Sequence, residues 1–413
     1  MALVVQKYGG TSVGSIERIK NVAQRVVATK NLGNQVVVVL SAMSGETDRL
    51  IGLANEINPE HSRREHDVLV ASGEQVSISL LAMAIESLGE KAISFLGSQV
   101  SIKTDSDHSR ARIKAIDNER ITEALASDHI VVVAGFQGVD VDGNITTLGR
   151  GGSDTSAVAV AAVLEADVCE IYTDVDGVYT TDPNICSKAC KLDKISYDEM
   201  LELASLGAKV LQNRSVEFAQ KYGIPIHVRS SFSDLEGTIV CKEDESMEKA
   251  VVSGVAYNKN EAKVTICGIP DHPGIAASIF SSIAEEGIVV DMIIQNTSAE
   301  GLTDLTFTVP KPDYDHALNS LENINKEIGA SDINGDKDIA KVSIVGIGMR
   351  THANVAGRMF AALARENINI MMISTSEIKV SCVIAEKYTE LAVRVLHHEF
   401  GLANKDTKDE SSR

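Results

Sequence analysis

A lysine, two glycines and two hydroxyl residues follow one another near the start of the chain, in KYGGTS (7–12). Glycines let backbone N–H groups approach an anion closely, and a helix N-terminus, expected between Thr11 and Ser15, favours negative charge. The ammonium of Lys7 adds a point charge suited to phosphate. Because the lysine precedes the glycines, the segment is neither a Walker A loop nor G-x-G-x-x-G. On this pattern, an anion site and a plain strand-to-helix turn are equally supported.

An arginine and an aspartate flank paired glycines in TTLGRGGSDTSA (146–157), which opens an alanine-rich helix. Arg150 carries the planar guanidinium that binds a carboxylate or a phosphate through two hydrogen bonds. Asp154 either caps the helix or orients a lysine at a reaction centre. The combination of arginine, glycines and helix start favours the functional interpretation.

Hydroxyl and carboxylate candidates come from two other segments. SAMSGETD (41–48) offers Ser41 and Thr47 as hydroxyl ligands after a buried strand. Glu74 lies at the start of a helix, where the helix dipole stabilises a carboxylate. It therefore either caps that helix or binds the ammonium group of a substrate.

The aspartate-rich loop 173–183 follows a further predicted strand. It either holds a nucleotide base and ribose or simply connects two elements. An EF-hand is excluded, because the glycine and the terminal glutamate that such a loop requires are missing. Lys209 is a second lysine candidate, although a single lysine of this kind is most often solvated.

Length, charge and cysteine spacing limit the class of protein. A chain of 413 residues predicts two or three domains, and a net charge of −19 without a basic cluster argues against nucleic-acid or anionic-membrane binding. No run approaches 18 apolar residues, and the N-terminus reads as a strand rather than a signal peptide. The six cysteines form no C-x-x-C pair and predict no zinc site, so we expect reduced thiols and a cytoplasmic protein.

Strand and helix signals alternate through residues 1–240. This alternation predicts an α/β domain, which we place at 1–245, with a mostly parallel sheet and ligand sites at the carboxyl ends of its strands. Continuous β-branched runs are typical of strands buried on both faces. The predicted strands lie in 35–43, 129–138, 169–177 and 224–231. The predicted helices between them are 15–33, 74–89 and 153–166.

An internal repeat follows the charged linker at 241–250. KVTICGI (263–269) matches KVSIVGI (341–347), and the helices after them match at an offset of about 80 residues. Each copy reads strand, loop, helix, strand, strand, helix, which predicts a ferredoxin-like βαββαβ module. The segment expected to form the closing strand of the first copy, 330–340, is polar, so its strand signal is weak.

The second copy lacks a closing strand, whereas VVSGVAY (251–257) is an unused strand just before the first copy. We therefore expect this strand to complete the second module. The predicted modules span 262–335 and 336–403, and the polar tail 404–413 is expected to be flexible. His397 and His398, in the last helix, are expected at the surface.

Taken together, these segments resemble the aspartate kinases, and the resemblance covers almost the whole chain. The C-terminal repeat resembles a tandem pair of ACT domains, modules that bind amino-acid effectors. The matching kinase segments are KYGGTS, SAMSGETD, ASGEQVS (71–77), GFQG (135–138), TTLGRGGSDTSA, TDVDGVYTTDP (173–183) and VRSSF (228–232). The matching ACT segments are DHPGIAASIF (271–280), VVDMIIQN (289–296) and ISTSEIKVS (373–381).

The resemblance implies an amino acid kinase fold for the N-terminal part. It also implies phosphorylation of the L-aspartate side chain by ATP with Mg²⁺, which gives 4-phospho-L-aspartate in the first step towards lysine, threonine and methionine. Lys7 would stabilise the transferring phosphoryl group with the amides of Gly9 and Gly10, and Asp154 would organise Lys7. No general base is needed, because the acceptor carboxylate is already ionised at neutral pH.

The same resemblance implies the ligand contacts. Arg150 would bind the α-carboxylate of aspartate and Glu74 its ammonium group. The residues that would surround aspartate with hydrogen bonds and glycine backbone are Ser41, Thr47, Gly151, Gly152 and Ser153. The residues that would hold the nucleotide are Thr173, Asp174, Tyr179 and Asp182, with Lys209 near its phosphates. At 212–213 the chain has Gln-Asn where many members have His-Pro.

ACT pairs in this family bind lysine, threonine or both, so the resemblance implies feedback inhibition. The effector-binding candidates are Asp271, Asp291, Gln295, Asn296, Asn369 and Ser376, although helix caps and loop polar groups explain each residue alone. ACT modules commonly pair, so we expect a dimer or a higher oligomer. Met247 is a candidate internal start for a separate regulatory subunit.

Two other classes of protein fit parts of the pattern. Glutamate, acetylglutamate and uridylate kinases share the fold, but KYGGTS and the tandem repeat speak against them. A non-catalytic amino-acid sensor would use the repeat alone, and the intact set of Lys7, Glu74, Arg150 and Asp154 argues against it.

Overall fold

The computed structural model describes residues 1–206, 210–244, 251–297, 301–352 and 354–403. The chain divides into two compact units. The first contains residues 1–178, 191–205 and 209–247, and the second contains 179–190, 206–208 and 248–413. Of the predicted features, Lys209, Met247, the end of the linker and the tail 404–413 lie outside the described residues.

The first unit is built on an eight-stranded sheet in the order β10-β12-β11-β9-β1-β2-β6-β3. Six of its strands, from β11 to β3 in this order, run parallel to one another. The other two run in the opposite direction, because β12 is antiparallel to β11 and β10 pairs in parallel with β12. A second sheet has the order β5-β4-β7-β8. The strands of this unit are β1 Leu3–Tyr8, β2 Gln35–Leu40, β3 Ala92–Phe95, β4 Lys103–Thr104, β5 Ile113–Ala115, β6 Ile130–Ala134, β7 Gln137–Val139, β8 Ile145–Thr147, β9 Val168–Thr173, β10 Lys194–Ser196, β11 Ile226–Ser230 and β12 Thr238–Cys241.

Helices flank the large sheet. They are α1 Ile16–Asn31, α2 Glu46–Ile57, α3 Arg63–Val70, α4 Ser72–Glu86, α5 Glu119–Ala126, α6 Gly152–Val163, α7 Tyr197–Ser205 and α8 Asn213–Tyr222. The Ser15 side chain caps α1, and Gly33, at φ +87°, follows its end. Thus the predicted mostly parallel sheet with flanking helices is confirmed.

The sequence explains the central strands of this sheet directly. β2 and β6 consist almost entirely of valine, isoleucine and leucine, and nearly all of their residues are buried. They pair in parallel between other strands and are covered by helices, so neither face needs polar residues. Their carboxyl ends deliver the loops that begin at Ser41 and Gly135 to one edge of the sheet.

The second unit contains two four-stranded antiparallel sheets, each covered by two helices. The first module has the sheet order β15-β16-β14-β17. Its elements are β14 Glu261–Pro270, α9 Ile275–Glu285, β15 Ile293–Thr297, β16 Leu302–Pro310, α10 Tyr314–Ile328 and β17 Asp332–Asp336. This βαββαβ order confirms the fold predicted from the repeat. The polar closing strand does form, because β17 lies at the sheet edge and pairs through its backbone with β14.

The second module has the sheet order β13-β18-β20-β19. Its elements are β13 Gly254–Asn258, β18 Ile339–Val345, α11 Val355–Arg365, β19 Met372–Thr375, β20 Lys379–Ala385 and α12 Thr389–Glu399. β13, which precedes the first module in the chain, pairs antiparallel with β18 along five residues.

The surface position expected for His397 is wrong. The residue is 1% exposed, and its Nε2 lies 2.9 Å from the hydroxyl of Thr180, another residue of the second unit. Burial lowers the pKa of His397 below its usual 6.5.

One described helical stretch, Arg63–Glu86, is long and apolar enough to match a membrane span in length and composition. Half of its most apolar window is buried inside the protein, and buried core helices have the same length and composition. This stretch comprises α3 and α4, and α4 contributes Ile78, Leu81 and Ile85 to the core of the first unit.

Candidate active site

β1 and α6 bring Lys7 and Asp154 together. The Lys7 Nζ lies 2.6 Å from Asp154 Oδ1, and the two side chains are only 12% and 11% exposed. The contact joins two charges without the alignment of a hydrogen bond. Asp154 does not cap α6, because the N-cap is Gly151, in the left-handed conformation at φ +70°. Of the two interpretations of Asp154, the structure therefore favours the one in which it orients a lysine.

The two glycines after β1 lie close to neighbouring groups, and at Gly10 a side chain would not fit. A Cβ on Gly9 would be 3.4 Å from Lys7 Nζ, and a Cβ on Gly10 would be 2.9 Å from the carbonyl oxygen of Ala42. A short 3₁₀ helix, Gly10–Val13, follows, with the Ser12 hydroxyl 2.5 Å from that of Ser231. The turn therefore packs closely against the lysine and against the loop after β2.

Glu74 is a buried carboxylate with an incomplete set of partners. It lies in the first turn of α4 and is 2% exposed. Its Oε1 accepts a hydrogen bond of 2.9 Å from the backbone N–H of Ala42, whereas its Oε2 has no hydrogen-bond partner in the described part of the chain. Burial raises the pKa of Glu74 to about 7, against a usual value of 4.5. An unpartnered buried oxygen of this kind suits a cationic ligand.

The loop between β2 and α2 holds the two predicted hydroxyl residues. Its backbone is anchored at Ser41, whose N–H donates to the carbonyl of Tyr8 (3.1 Å) and whose carbonyl accepts from the Ser77 hydroxyl (2.8 Å). Thr47 is the second residue of α2, after Gly45 at φ +79°. Both Ser41 and Thr47 are partly buried.

Arg150 and its neighbours form the loop that leads into α6. Arg150 is exposed, and no carboxylate of the described residues pairs with it. Ser153, next to Asp154, is buried beside Gly135, where a Cβ would lie 2.9 Å from the Ser153 Oγ. The arginine is thus available to a ligand, while the serine is held in place at the sheet edge.

The predicted nucleotide residues divide between the two units. Thr173 ends β9, the neighbour of β1, and its hydroxyl donates to Asp174 Oδ1 at 3.1 Å. Tyr179 and Asp182 belong to the second unit. There Asp182 accepts hydrogen bonds from the Tyr257 hydroxyl (3.0 Å) and the Asn184 N–H (2.8 Å).

The predicted effector residues lie in the second unit, and five of the six are exposed without a charged partner among the described residues. These five are Asp271, Gln295, Asn296, Asn369 and Ser376. Asp291 is different, because it pairs with Lys341, whose Nζ also lies 2.6 Å from Glu261 Oε1. Lys341 is 5% exposed and comes from the second module, whereas both carboxylates come from the first.

The part of the chain that the structure describes contains no group of three or more His, Cys, Asp or Glu side chains placed to hold a metal ion. Mg²⁺ usually keeps several waters and is bound through substrate phosphates and one or two carboxylates. These residues therefore fit a magnesium ion that enters with a nucleotide rather than one held in a cage of protein ligands.

Two family models match the chain: the amino acid kinase family over residues 2–230, and the ACT domain over 264–324 and 342–400. An aspartate kinase of Stutzerimonas stutzeri is 59% identical over 403 residues, which cover 97% of this chain and 98% of that protein. The chain belongs to the aspartate kinases.

Solved structures of aspartate kinases have the same fold. E. coli aspartokinase III in complex with aspartate and ADP, in the R-state, has a TM-score of 0.79 at 26% identity and covers 96% of this chain and 99% of that one. The same enzyme with lysine and aspartate, in the T-state, has a TM-score of 0.77 at 27% identity, with the same coverage.

Sequence reasoning gave no role to two residues that shape this aspartate kinase site. Gly135 makes room for Ser153, and its position directly after a buried strand was the available signal. Ser231 reaches the glycine turn from the end of β11, which is distant in sequence. Nothing local in the sequence indicates that contact.

Proposed function

We propose that this aspartate kinase transfers the γ-phosphoryl group of ATP to the side-chain carboxylate of L-aspartate, with Lys7 and Asp154 at the reaction centre. The observation that carries the proposal is the 2.6 Å contact between these two side chains, beside the glycine turn at the end of β1. E. coli aspartokinase III, which shares this fold, was solved with aspartate and ADP. We also propose residues 1–245 as the catalytic domain.

The chemistry brings two anions together. Transfer to a carboxylate needs positioning and neutralisation of charge more than proton transfer, because the acceptor is ionised at neutral pH. Lys7 supplies a positive charge in a mostly buried place, where its effect is weakly screened by water. Asp154 holds the ammonium in position, and the amides of Gly9 and Gly10 add donors on the same side.

Aspartate would be recognised through its two other charges. The Glu74 carboxylate, with its unpartnered Oε2, binds the ammonium group, and Arg150 binds the α-carboxylate. Ser41, Thr47 and Ser153 supply hydrogen bonds, with Gly151 and Gly152 giving close access to the backbone. Binding of the ammonium also supplies the counter-charge that the buried Glu74 lacks.

For the nucleotide, we propose Thr173, Asp174, Tyr179 and Asp182, with Lys209 near the phosphates. The support comes from the position of Thr173 at the carboxyl end of β9, next to β1. Mg²⁺ would enter with ATP and supply positive charge at the transferring phosphates.

We further propose feedback inhibition at the ACT modules, which span 262–335 and 336–403 and include strand 251–257. The effector residues would be the predicted set in these modules. E. coli aspartokinase III, solved with lysine in a T-state, supports lysine, and threonine is proposed from the family resemblance. Assays with each amino acid alone and together test this proposal, and no inhibition in any combination would refute it.

The proposal extends to assembly and location. We expect a cytoplasmic dimer or higher oligomer, paired through ACT modules, and a regulatory subunit if translation starts at Met247. Sedimentation of the purified chain tests the oligomeric state. Mass spectrometry of the expressed products tests the regulatory subunit.

Lys7→Ala tests the catalytic assignment. Removing a group that neutralises the developing charge is expected to lower kcat by about 10²–10³-fold. Lys91→Ala, which removes an exposed lysine just before β3, is the matched control and should retain full activity. Aspartate-dependent formation of ADP measures both. If Lys7→Ala keeps the rate of the unmodified chain, the assignment is wrong.

A further inference from the structure

A cavity of about 800 Å³ lies on the first unit, beside the C-terminal half of α6 and along α8. We call it the basic groove and define it by Arg112, Lys114, Arg214, Phe218, Lys221 and Tyr222. Small apolar side chains of α6, including Ala159 and Ala162, line it as well. Its volume lies within the range of about 300–1,000 Å³ that is usual for small-molecule sites.

The groove concentrates positive charge on a strongly acidic chain. Four of its side chains are cationic and one, Glu217, is anionic. Among the described residues, Arg112 and Lys221 have no carboxylate partner, and Lys114 reaches only Asp105, at 3.6 Å. The groove thus carries positive charge that the protein itself leaves largely unpaired.

Arg214 is the least exposed cationic residue of this set. Its guanidinium is partly buried and donates to two carbonyl oxygens, those of Leu148 (3.1 Å) and Ala111 (2.8 Å). Burial and the neighbouring charge of Arg112 lower the pKa of Arg214. The negative charge of a bound anion would favour the charged form of Arg214 and so offset both effects.

We propose that the basic groove binds a small phosphate-bearing anion. Arginine forks and lysine ammonium groups are the side chains that proteins use for phosphate. The aromatic rings of Phe218 and Tyr222 and the alanines of α6 would contact an apolar part of the ligand. The lining residues of the groove do not include Lys7 or Asp154, and the nearest one on α6, Ala159, lies five residues from Asp154, or about 7.5 Å along the helix.

The groove is connected to the aspartate-binding loop, and this step rests on the proposed function. Arg214 donates a hydrogen bond to the carbonyl of Leu148, which is two residues before Arg150 in the chain. The Gln212 side chain fills the space beside Gly151, since a Cβ on Gly151 would be 1.8 Å from its Cγ. An anion that draws Arg214 away from Leu148 would loosen this loop. The expected effect is a several-fold higher KM for aspartate with a smaller change in kcat.

Calorimetric titration of the full chain with inorganic pyrophosphate tests binding independently of activity. The variant is Arg112→Gln with Lys221→Gln, two exposed residues, so we expect the fold and the hydrogen bonds of Arg214 to its two carbonyl partners to be retained. The loss of two charge-assisted contacts is expected to weaken binding about tenfold or more. Lys91→Gln is the matched control and should bind as the unmodified chain does.

The outcomes separate this proposal from its alternatives. Absence of saturable binding overturns it, and so does binding that Lys7→Ala abolishes but the double variant retains, because the probe then occupies the catalytic site. A double variant that changes only the oligomeric state shows that the groove is a contact between copies. A catalytically inactive chain that still binds pyrophosphate through Arg112 and Lys221 refutes the proposed function alone.

Discussion

Replacement of Glu74 by glutamine tests the most unusual ionisable group in the candidate site. Burial raises the pKa of Glu74 from 4.5 to about 7, which corresponds to about 3 kcal/mol between its ionised and neutral forms. Because the folded state favours the protonated form, the ligand-free protein loses this amount of stability as the pH rises from below 4.5 to above 7. Glu74→Gln keeps the shape of the neutral acid and does not ionise.

The expected result is a difference in stability that depends on pH. At pH 8 the Glu74→Gln variant should be more stable than the unmodified chain by up to about 3 kcal/mol, and below pH 5 the two should be alike. Urea unfolding of the ligand-free protein at both pH values measures this. Glu86→Gln is the matched control, because Glu86 is an exposed glutamate on the same helix.

Aspartate binding should respond in the opposite direction. Only the ionised Glu74 can neutralise an ammonium group, so the affinity of the unmodified chain for aspartate should fall as the pH drops below about 7. Glu74→Gln should bind aspartate weakly at every pH. At pH 8 its affinity should be about two orders of magnitude lower than that of the unmodified chain. The reasoning is refuted if the variant gains the same stability at pH 5 and pH 8, or if it binds aspartate normally.

Two further predictions concern the second unit. Lys341→Ala removes the cation beside the buried Glu261 and should destabilise this unit by about 3–5 kcal/mol in urea unfolding. Lys263→Ala, at the equivalent position of the repeat, is the control and should change the free energy of unfolding little. The pKa of His397 is lowered in the folded state, so its stabilising contribution is present above pH 6.5 and is lost as the pH falls. In thermal unfolding, His397→Gln should reduce the loss of stability at acid pH. Replacement of the exposed His398 by glutamine should not reduce it.

The parts of the fold that depend on local pattern were predictable. The valine-rich segments of β2 and β6 are typical of strands buried on both faces, and the sequence repeat predicted two similar modules. The polar strand β17 was harder, because an edge strand is held by backbone pairing and needs few apolar side chains. The pattern of hydrophobic residues therefore does not predict such a strand.

Long-range polar contacts were less accessible. Lys341 and Lys263 occupy matching positions in the repeat, yet only Lys341 lies buried between two carboxylates of the other module. The local sequence cannot distinguish them, since the carboxylates are 50 and 80 residues away. Likewise, the choice between capping and lysine-orienting roles for Asp154 depended on where Gly151 placed the start of α6.

The pairing of β13 with β18 means that the two regulatory repeats cannot be separated by a single cut in the chain. The second module has one strand before the first module and the rest after it. A fragment that starts at Met247 keeps both sheets whole, whereas one that starts at 259 loses an edge of the second. A break in the gene anywhere between the two modules would likewise leave the second sheet incomplete. The first module is therefore inserted into the second, and the two have to be encoded together.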